Sequence, residues 1–281
     1  MRIPLKLRVL LAGLLLFPAA SVSFGQVPEN DPYLKFGVRL SVNADYKIRK
    51  GLHLSGETEL REGKDILSEG YFQNSVGLSY KVSPYFKTAA SYTLIGKRTS
   101  LSSYNFRHRG NVDLTASLPY GSWKFSLRER FQMTNRPGEM NRYQNPRNLL
   151  ELKSRLKEEY SFNKRFSQYS FIEVRAALNK ASLTGYHYDA AQHKYVDGQS
   201  NSVGEPGWFF DGYGDCYFNR IRLCLGLEYE RNKRRTYDFY LYGDYYNNLK
   251  IDASSDGTAL KSLVHDRYYK ITPGISYKYS F

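Results

Sequence analysis

The chain ends in ITPGISYKYSF (Ile271–Phe281), and these residues decide the fold. Counting back from the terminus, Phe281, Tyr279, Tyr277, Ile275, Pro273 and Ile271 share one face, because side chains on a strand alternate. In water, a terminal strand with so apolar and aromatic a face would be a sheet edge open to aggregation. A closed barrel removes the edge, and in lipid it satisfies every backbone polar group between its own strands. The reading then depends on whether the remaining strands alternate in the same way.

They do. From Tyr33 to Asp45 the even positions Leu34, Phe36, Val38, Leu40, Val42 and Ala44 are apolar, with Lys35, Arg39, Ser41, Asn43 and Asp45 between them. Period two over this length marks a strand with one face in an apolar medium. Leu52 to Glu62 repeats it, with Leu52, Leu54 and Leu60 outward and His53, Glu57, Glu59 and Arg61 inward. Further segments of spanning length run Tyr71–Val82, Tyr85–Ile95, Phe106–Leu118, Trp123–Met133, Leu149–Phe162, Gln168–Leu178, Tyr217–Glu230, Tyr237–Tyr246 and Tyr268–Phe281. Short links (Ser83–Pro84, Pro119–Ser122, Asn163–Arg165, Arg231–Arg235) alternate with long ones, the pattern of short periplasmic turns and long external loops. The longest loop is 179–216, with room for a hairpin around Tyr186–Val196.

Composition agrees. Mean hydropathy is negative (−0.57), which speaks against helical spans but not against a barrel, whose strands alternate polar and apolar residues. The 26 Tyr and 16 Phe exceed what a water-soluble core needs and suit aromatic belts at two membrane interfaces. The net charge of +14 is spread along alternating positions with carboxylates among them, so no nucleic acid is expected as a partner. An anionic lipid head group suits it better.

Residues 1–25 carry Arg2, Lys6 and Arg8, an apolar run from Val9 to Phe17, and small residues up to Gly25. They read as a signal peptide cleaved before Gln26, since the apolar run is about half of the ~20 residues a spanning helix needs. Residues 26–281 then form a single domain in the bacterial outer membrane: all-β, an antiparallel transmembrane β-barrel. Eleven segments can be counted, whereas single-chain bacterial barrels have even numbers, so twelve strands are expected, with ten as the alternative.

With the signal peptide, the strand ladder and the Phe281 ending in place, the sequence resembles a family of uncharacterised bacterial outer-membrane barrels catalogued as a domain of unknown function. The motifs that carry this are Glu57-x-Glu59-x-Arg61, Arg128-Glu129-Arg130 and Glu173-x-Arg175, read as inward charges. The resemblance implies a fold and a location and brings no catalytic residue. It also makes Tyr277, Tyr279 and Phe281 the signal read by the barrel assembly machinery.

Inward positions form an expected lumen charge network of Arg39, Glu57, Glu59, Arg61, Arg107, Arg109, Asp113, Arg128, Arg130, Arg155, Glu173 and Arg175. Pairing Leu118 with Trp123 across the turn at Pro119–Ser122 would set Asp113 opposite Arg128. Both signs are present, as buried charges require. Cations outnumber carboxylates on the middle strands, which would favour anions in a pore. The expected role is structural, or passage of small, anionic solutes through a narrow lumen. The alternative is an outer-membrane enzyme acting on lipid or peptide, which would need a nucleophile and base within hydrogen-bond reach. The histidines, His53, His108, His187, His193 and His265, offer no such constellation, so no catalytic, cofactor or metal residue is assigned. Trp208, Phe209 and Tyr213, in the aromatic run of the longest loop, are candidates for contact with lipid or glycan at the external face. Cys216 and Cys224, about 26 Å apart along one strand, are expected to stay unbridged.

Overall fold

Alternation of apolar and polar residues produces long strands, one after another, in a computed structural model that describes residues 31–62, 71–98, 104–136, 141–184, 186–189, 194–197, 209–257 and 259–281. The expected signal peptide, His193 and Trp208 lie outside the described residues. The strands are β1 (Tyr33–Phe36), β2 (Val38–Arg49), β3 (Leu52–Glu62), β4 (Tyr71–Lys81), β5 (Phe86–Arg98), β6 (Tyr104–Tyr120), β7 (Trp123–Asn135), β8 (Asn148–Ser161) and β9 (Phe166–Lys180). Then come the short β10 (Leu183–Thr184), β11 (Tyr186–Asp189), β12 (Lys194–Asp197) and β13 (Phe209–Phe210), and finally β14 (Asp215–Asn232), β15 (Arg235–Ala253) and β16 (Leu260–Ser280).

Twelve strands form one sheet, as expected, and eleven of them close the barrel. Neighbours from β2 through β9 and β14 to β16 are antiparallel, and β16 returns to β2. That seam is parallel: Gly274–Ser280 pairs with Arg39–Asp45. The twelfth strand, β1, continues the line of β2 along β16, with Phe36 opposite Ile271 and Arg39 opposite Gly274. Gly37 bridges the two pieces through its N–H to the Ile271 carbonyl (3.0 Å). An up-and-down barrel closed by an odd number of staves must bring its first and last strands together in the same direction, so the parity problem is resolved by a parallel pair and not by an additional antiparallel one. The hairpin expected near Tyr186 forms as β11 and β12, in a sheet of its own, and leaves the closure unchanged.

Every strand of the barrel sends one set of side chains outward. Val42 (58 % exposed), Leu225 (61 %), Leu223, Val112, Leu60 and Ile275 form an apolar belt that none of the described residues covers. The opposite set faces the lumen and is largely polar: Glu59, Gln73, Asn111, Gln132, Glu151, Glu173, Arg222 and Asp244 are all buried. The inside-out distribution is the signature of a barrel solvated by lipid.

Three expectations are corrected. The turn between β6 and β7 is tighter than Pro119–Ser122: Tyr120 pairs with Trp123 around Gly121, whose φ of 59° permits a two-residue turn. The register moves by two residues, so Asp113 faces Arg130 and Arg128 faces Thr115. Glu129, read as inward with Arg128 and Arg130, is on the outer face, since alternation cannot place three successive residues inside; it lies between Leu114 and Ser154. The long link expected between the segments Tyr237–Tyr246 and Tyr268–Phe281 is mostly strand, because β15 and β16 continue as a hairpin up to Ala253 and Leu260. Beyond the belt, Leu249, Ile251, Ala253 and Leu263 are buried with Ala177, Ala181 and Tyr217 in a small core at the long-loop end. Asn141 Nδ2 donates to the Ala253 carbonyl (2.7 Å) and Gln144 Nε2 to Asp252 Oδ1 (3.1 Å), tying the β7–β8 connection to this hairpin.

Candidate functional site

The lumen has two unlike walls, and their difference is written in the inward positions. On β3, β4 and β5 these include a run of small residues, Ser55, Ser75, Gly77, Ser79, Ala89, Ser91 and Thr93, between the longer Glu57, Glu59, Arg61, Tyr71, Gln73 and Lys87. On β6 to β9 and β14 they carry Arg109, Arg128, Arg130, Lys153, Arg155, Arg175, Arg220 and Arg222. Long side chains reach across from the second wall, and the short ones opposite leave a cavity of about 570 Å³. Eleven Lys and Arg line it against five Asp and Glu. Of the expected network, Arg39, Glu57, Glu59, Arg61, Arg109, Asp113, Arg128, Arg130, Arg155, Glu173 and Arg175 all line this one cavity, and Arg107 does not.

At its centre sits Glu173, 2 % exposed. Its Oε2 accepts from Arg128 Nη2 (2.9 Å), Arg155 Nε (2.8 Å) and Arg155 Nη2 (2.6 Å), and its Oε1 from Arg220 Nη2. One carboxylate thus organises three guanidiniums. Beside it Arg222 forms a two-point pair with Asp244 (2.6 and 2.9 Å), and Arg130 one with Asp113 (both 2.6 Å). Arg175 Nε is 3.2 Å from Glu151, and Glu59 binds both Arg61 and, diagonally, Arg39 (3.6 Å). Two-point Arg–carboxylate pairs fix orientation as well as charge.

Positive charge nonetheless remains. Lys153 donates to Gln132 Oε1 (2.6 Å) and Arg109 to Thr134 Oγ1 (3.4 Å), and among the described residues neither has a carboxylate within ion-pair distance; nor has Lys87. On the acidic side Glu57 is in the same position. Nε of Arg39, Arg128 and Arg220 is buried without a hydrogen-bond acceptor among the described residues.

A second feature had no clear signal in the sequence. Tyr169, Phe171 and Tyr240 are buried with Cys224 on the inner face of β9, β14 and β15, with Tyr242 against them. Glycines make room for this wall: a Cβ on Gly226 would stand 2.1 Å from the Tyr169 ring, and one on Gly274 2.2 Å from the Tyr240 ring. Each Tyr is directly cross-strand from its glycine. Cations sit over the rings, Arg155 on Phe171 (4.0 Å), Lys157 on Tyr169 (4.1 Å) and Arg222 on Tyr242 (4.3 Å), which shields each cation from water on one side. The alternation shows that these aromatics face inward, but only the three-dimensional register shows that they meet glycines.

Of the external candidates, Tyr213 packs on Phe210 (5.1 Å) and its hydroxyl donates to the Arg142 carbonyl (2.7 Å). Phe209 contributes backbone pairing to Leu183–Thr184. His187 lies on β11, in register with Val196. Phe281 is 69 % exposed at the short-turn end, its ring against Tyr279 (4.7 Å) and its N–H bonded to the Asp45 carbonyl (2.8 Å). Cys216 and Cys224 are free thiols on β14; Cys224 is buried in the lumen and Cys216 donates to the Leu178 carbonyl.

Among solved structures the chain is similar to the NanC porin, at 14 % identity over 87 % of this chain and 97 % of that one, with a TM-score of 0.43. It is more distantly similar to the siderophore receptor PirA from Pseudomonas aeruginosa, at 10 % identity over 81 % of this chain and 55 % of that one, with a TM-score of 0.21. No curated protein matches it. Residues 36–191, more than half of the chain, match the family described as "Protein of unknown function (DUF2490)", and the chain belongs to that family.

Proposed function

We propose that this barrel spans the bacterial outer membrane and passes small anionic solutes through its lumen. The observation that carries the reading is the cavity beside Glu173, where eleven cationic side chains meet five carboxylates. An unbalanced set of cations in a pore attracts anions and repels cations. Eleven strands give a bore between the filled interior of eight-stranded barrels and the open channel of porins, so the solute must be small. The apolar belt supports the membrane location, and the expected signal peptide supports export across the inner membrane. The test is single-channel recording of purified, refolded protein in planar bilayers. Discrete steps that are blocked by a small organic anion, and not by a neutral molecule of equal size, support the reading; a silent bilayer containing folded protein overturns it.

A further inference from the structure

The sequence repeats Asn-Lys-Arg at two of the short turns, Asn163–Arg165 between β8 and β9 and Asn232–Arg234 between β14 and β15. The two turns are built alike. Asn163 Oδ1 accepts from the N–H of Arg165 (2.8 Å) and Phe166 (3.0 Å), and Asn232 Oδ1 from that of Arg234 (3.0 Å) and Arg235 (2.9 Å). These side-chain caps fix the backbone, and neighbouring ladders fix it further. The Arg165 carbonyl accepts from Glu230 N–H (2.7 Å), and the Arg234 carbonyl from Ser280 N–H (2.8 Å). Lys164, Arg165, Lys233 and Arg234 are exposed on these turns, and neither turn contains an Asp or Glu. The turns stand side by side, because β9 pairs with β14.

Directly inward from the cations along the strands, on the outer face, runs a ladder of rings: Phe166 on Tyr229 (4.8 Å), Tyr229 on Tyr237 (6.3 Å) and Tyr237 on Tyr277 (5.3 Å). Aromatic rows of this kind mark the level of lipid head groups. One step further into the belt, Leu225, Leu227, Phe239, Leu241, Pro273 and Ile275 line an open apolar groove of about 570 Å³ on the same strands. Cations, then rings, then an apolar groove is the order of phosphate, interface and acyl chain in a phospholipid.

We propose that the paired Asn-Lys-Arg turns and this groove bind an anionic phospholipid of the leaflet at the short-turn end. The proposal rests on the reading that the barrel spans a membrane. A soluble acidic partner would use the cations but would have no use for the ring ladder and groove behind them. Close to an anionic surface each cation is worth roughly fivefold in local occupancy at low salt, and less as salt screens it.

The experiment uses the full mature chain folded into phosphatidylcholine vesicles containing trace spin-labelled phosphatidylglycerol or phosphatidylcholine. The measured quantity is the immobilised fraction of each label. Immobilisation of phosphatidylglycerol about fivefold or more above phosphatidylcholine at low salt is expected. In the quadruple variant K164Q/R165Q/K233Q/R234Q, which keeps both asparagine caps, the ratio should fall to near one. Equal immobilisation of the two lipids by the native protein overturns the proposal, as does a preference that survives in the variant. Equal immobilisation together with salt-sensitive binding of polyglutamate would overturn it in favour of a soluble acidic partner. Absence of immobilised lipid of either kind, with no heat-modifiable band on gels, would instead refute the membrane reading beneath it.

Discussion

Replacing Glu173 by Gln removes one negative charge from the point where three arginines converge. Arg128, Arg155 and Arg220 all bond to this carboxylate, which is 2 % exposed. The amide can accept at one oxygen only, and its NH₂ faces guanidinium donors, so at least one arginine loses its partner in a confined space. Removing one member of a buried ion pair costs about 3–5 kcal/mol. The side chains of Arg128 and Arg155 keep 19 % and 23 % exposure to the lumen, which relieves some of the penalty, so a loss of about 3 kcal/mol is expected. The assay is equilibrium unfolding of the barrel in lipid vesicles by guanidinium chloride, followed by tryptophan fluorescence. A second variant that also neutralises Arg155, E173Q/R155M, should recover part of the loss, because fewer cations then share the site. A loss below about 1 kcal/mol would refute the reasoning, since exposed, hydrated ion pairs contribute no more than that.

Further expectations follow from particular contacts. G226A should destabilise the barrel by about 1–3 kcal/mol, because the added methyl displaces the Tyr169 ring from its place 2.1 Å away and strains its bonds to Asp238 (3.0 Å); a cost that is fully additive with Y169A would show that the two do not touch. Glu129 faces the apolar belt with Ser154 Oγ donating to its Oε2 and its Oε1 buried without a partner among the described residues, so E129L should stabilise the folded barrel in lipid by about 1–3 kcal/mol; destabilisation would mean that the carboxylate is bound by something in the membrane. The parallel seam puts the start of β1 at the long-loop end, opposite to the short turns, so on intact cells protease should remove a tag placed before Asp31 and spare one inserted in the short turn at Gly121–Ser122; equal cleavage would contradict the seam. Deleting Phe281, whose N–H holds the Asp45 carbonyl, should leave secreted but unassembled chain; normal heat-modifiable migration in outer membranes would dismiss it as an assembly signal.

The fold was legible because alternation is a local property. Leu34 to Ala44 and Ile271 to Phe281 show their outward faces without reference to any partner, and the structure exposes those same faces. The positions that misled depend on relations between strands. Whether the β6–β7 turn closes at Pro119–Ser122 or around Gly121 changes no residue's face, since the shift is by two, yet it exchanges Arg128 for Arg130 as the partner of Asp113. Parity was opaque for a related reason: eleven segments are countable, but a parallel closure is a property of the first and last strands together. The lumen residues were accessible by parity, while the convergence of Arg128, Arg155 and Arg220 on Glu173 was not. It draws on four neighbouring strands, and which arginines reach Glu173 depends on the register of those strands with one another. Glu129 could have been placed from alternation alone, since its sequence neighbours Arg128 and Arg130 are both inward.

The central claim is that the lumen carries an excess of positive charge that selects anions. The direct measurement is the reversal potential of the refolded protein in a planar bilayer with a gradient of potassium chloride across it. The account requires a potential with the sign of chloride selectivity, growing in E173Q and diminishing in K153Q and R109Q, whose cations have no carboxylate partner among the described residues. A cation-selective potential, or one unmoved by all three substitutions, would contradict it.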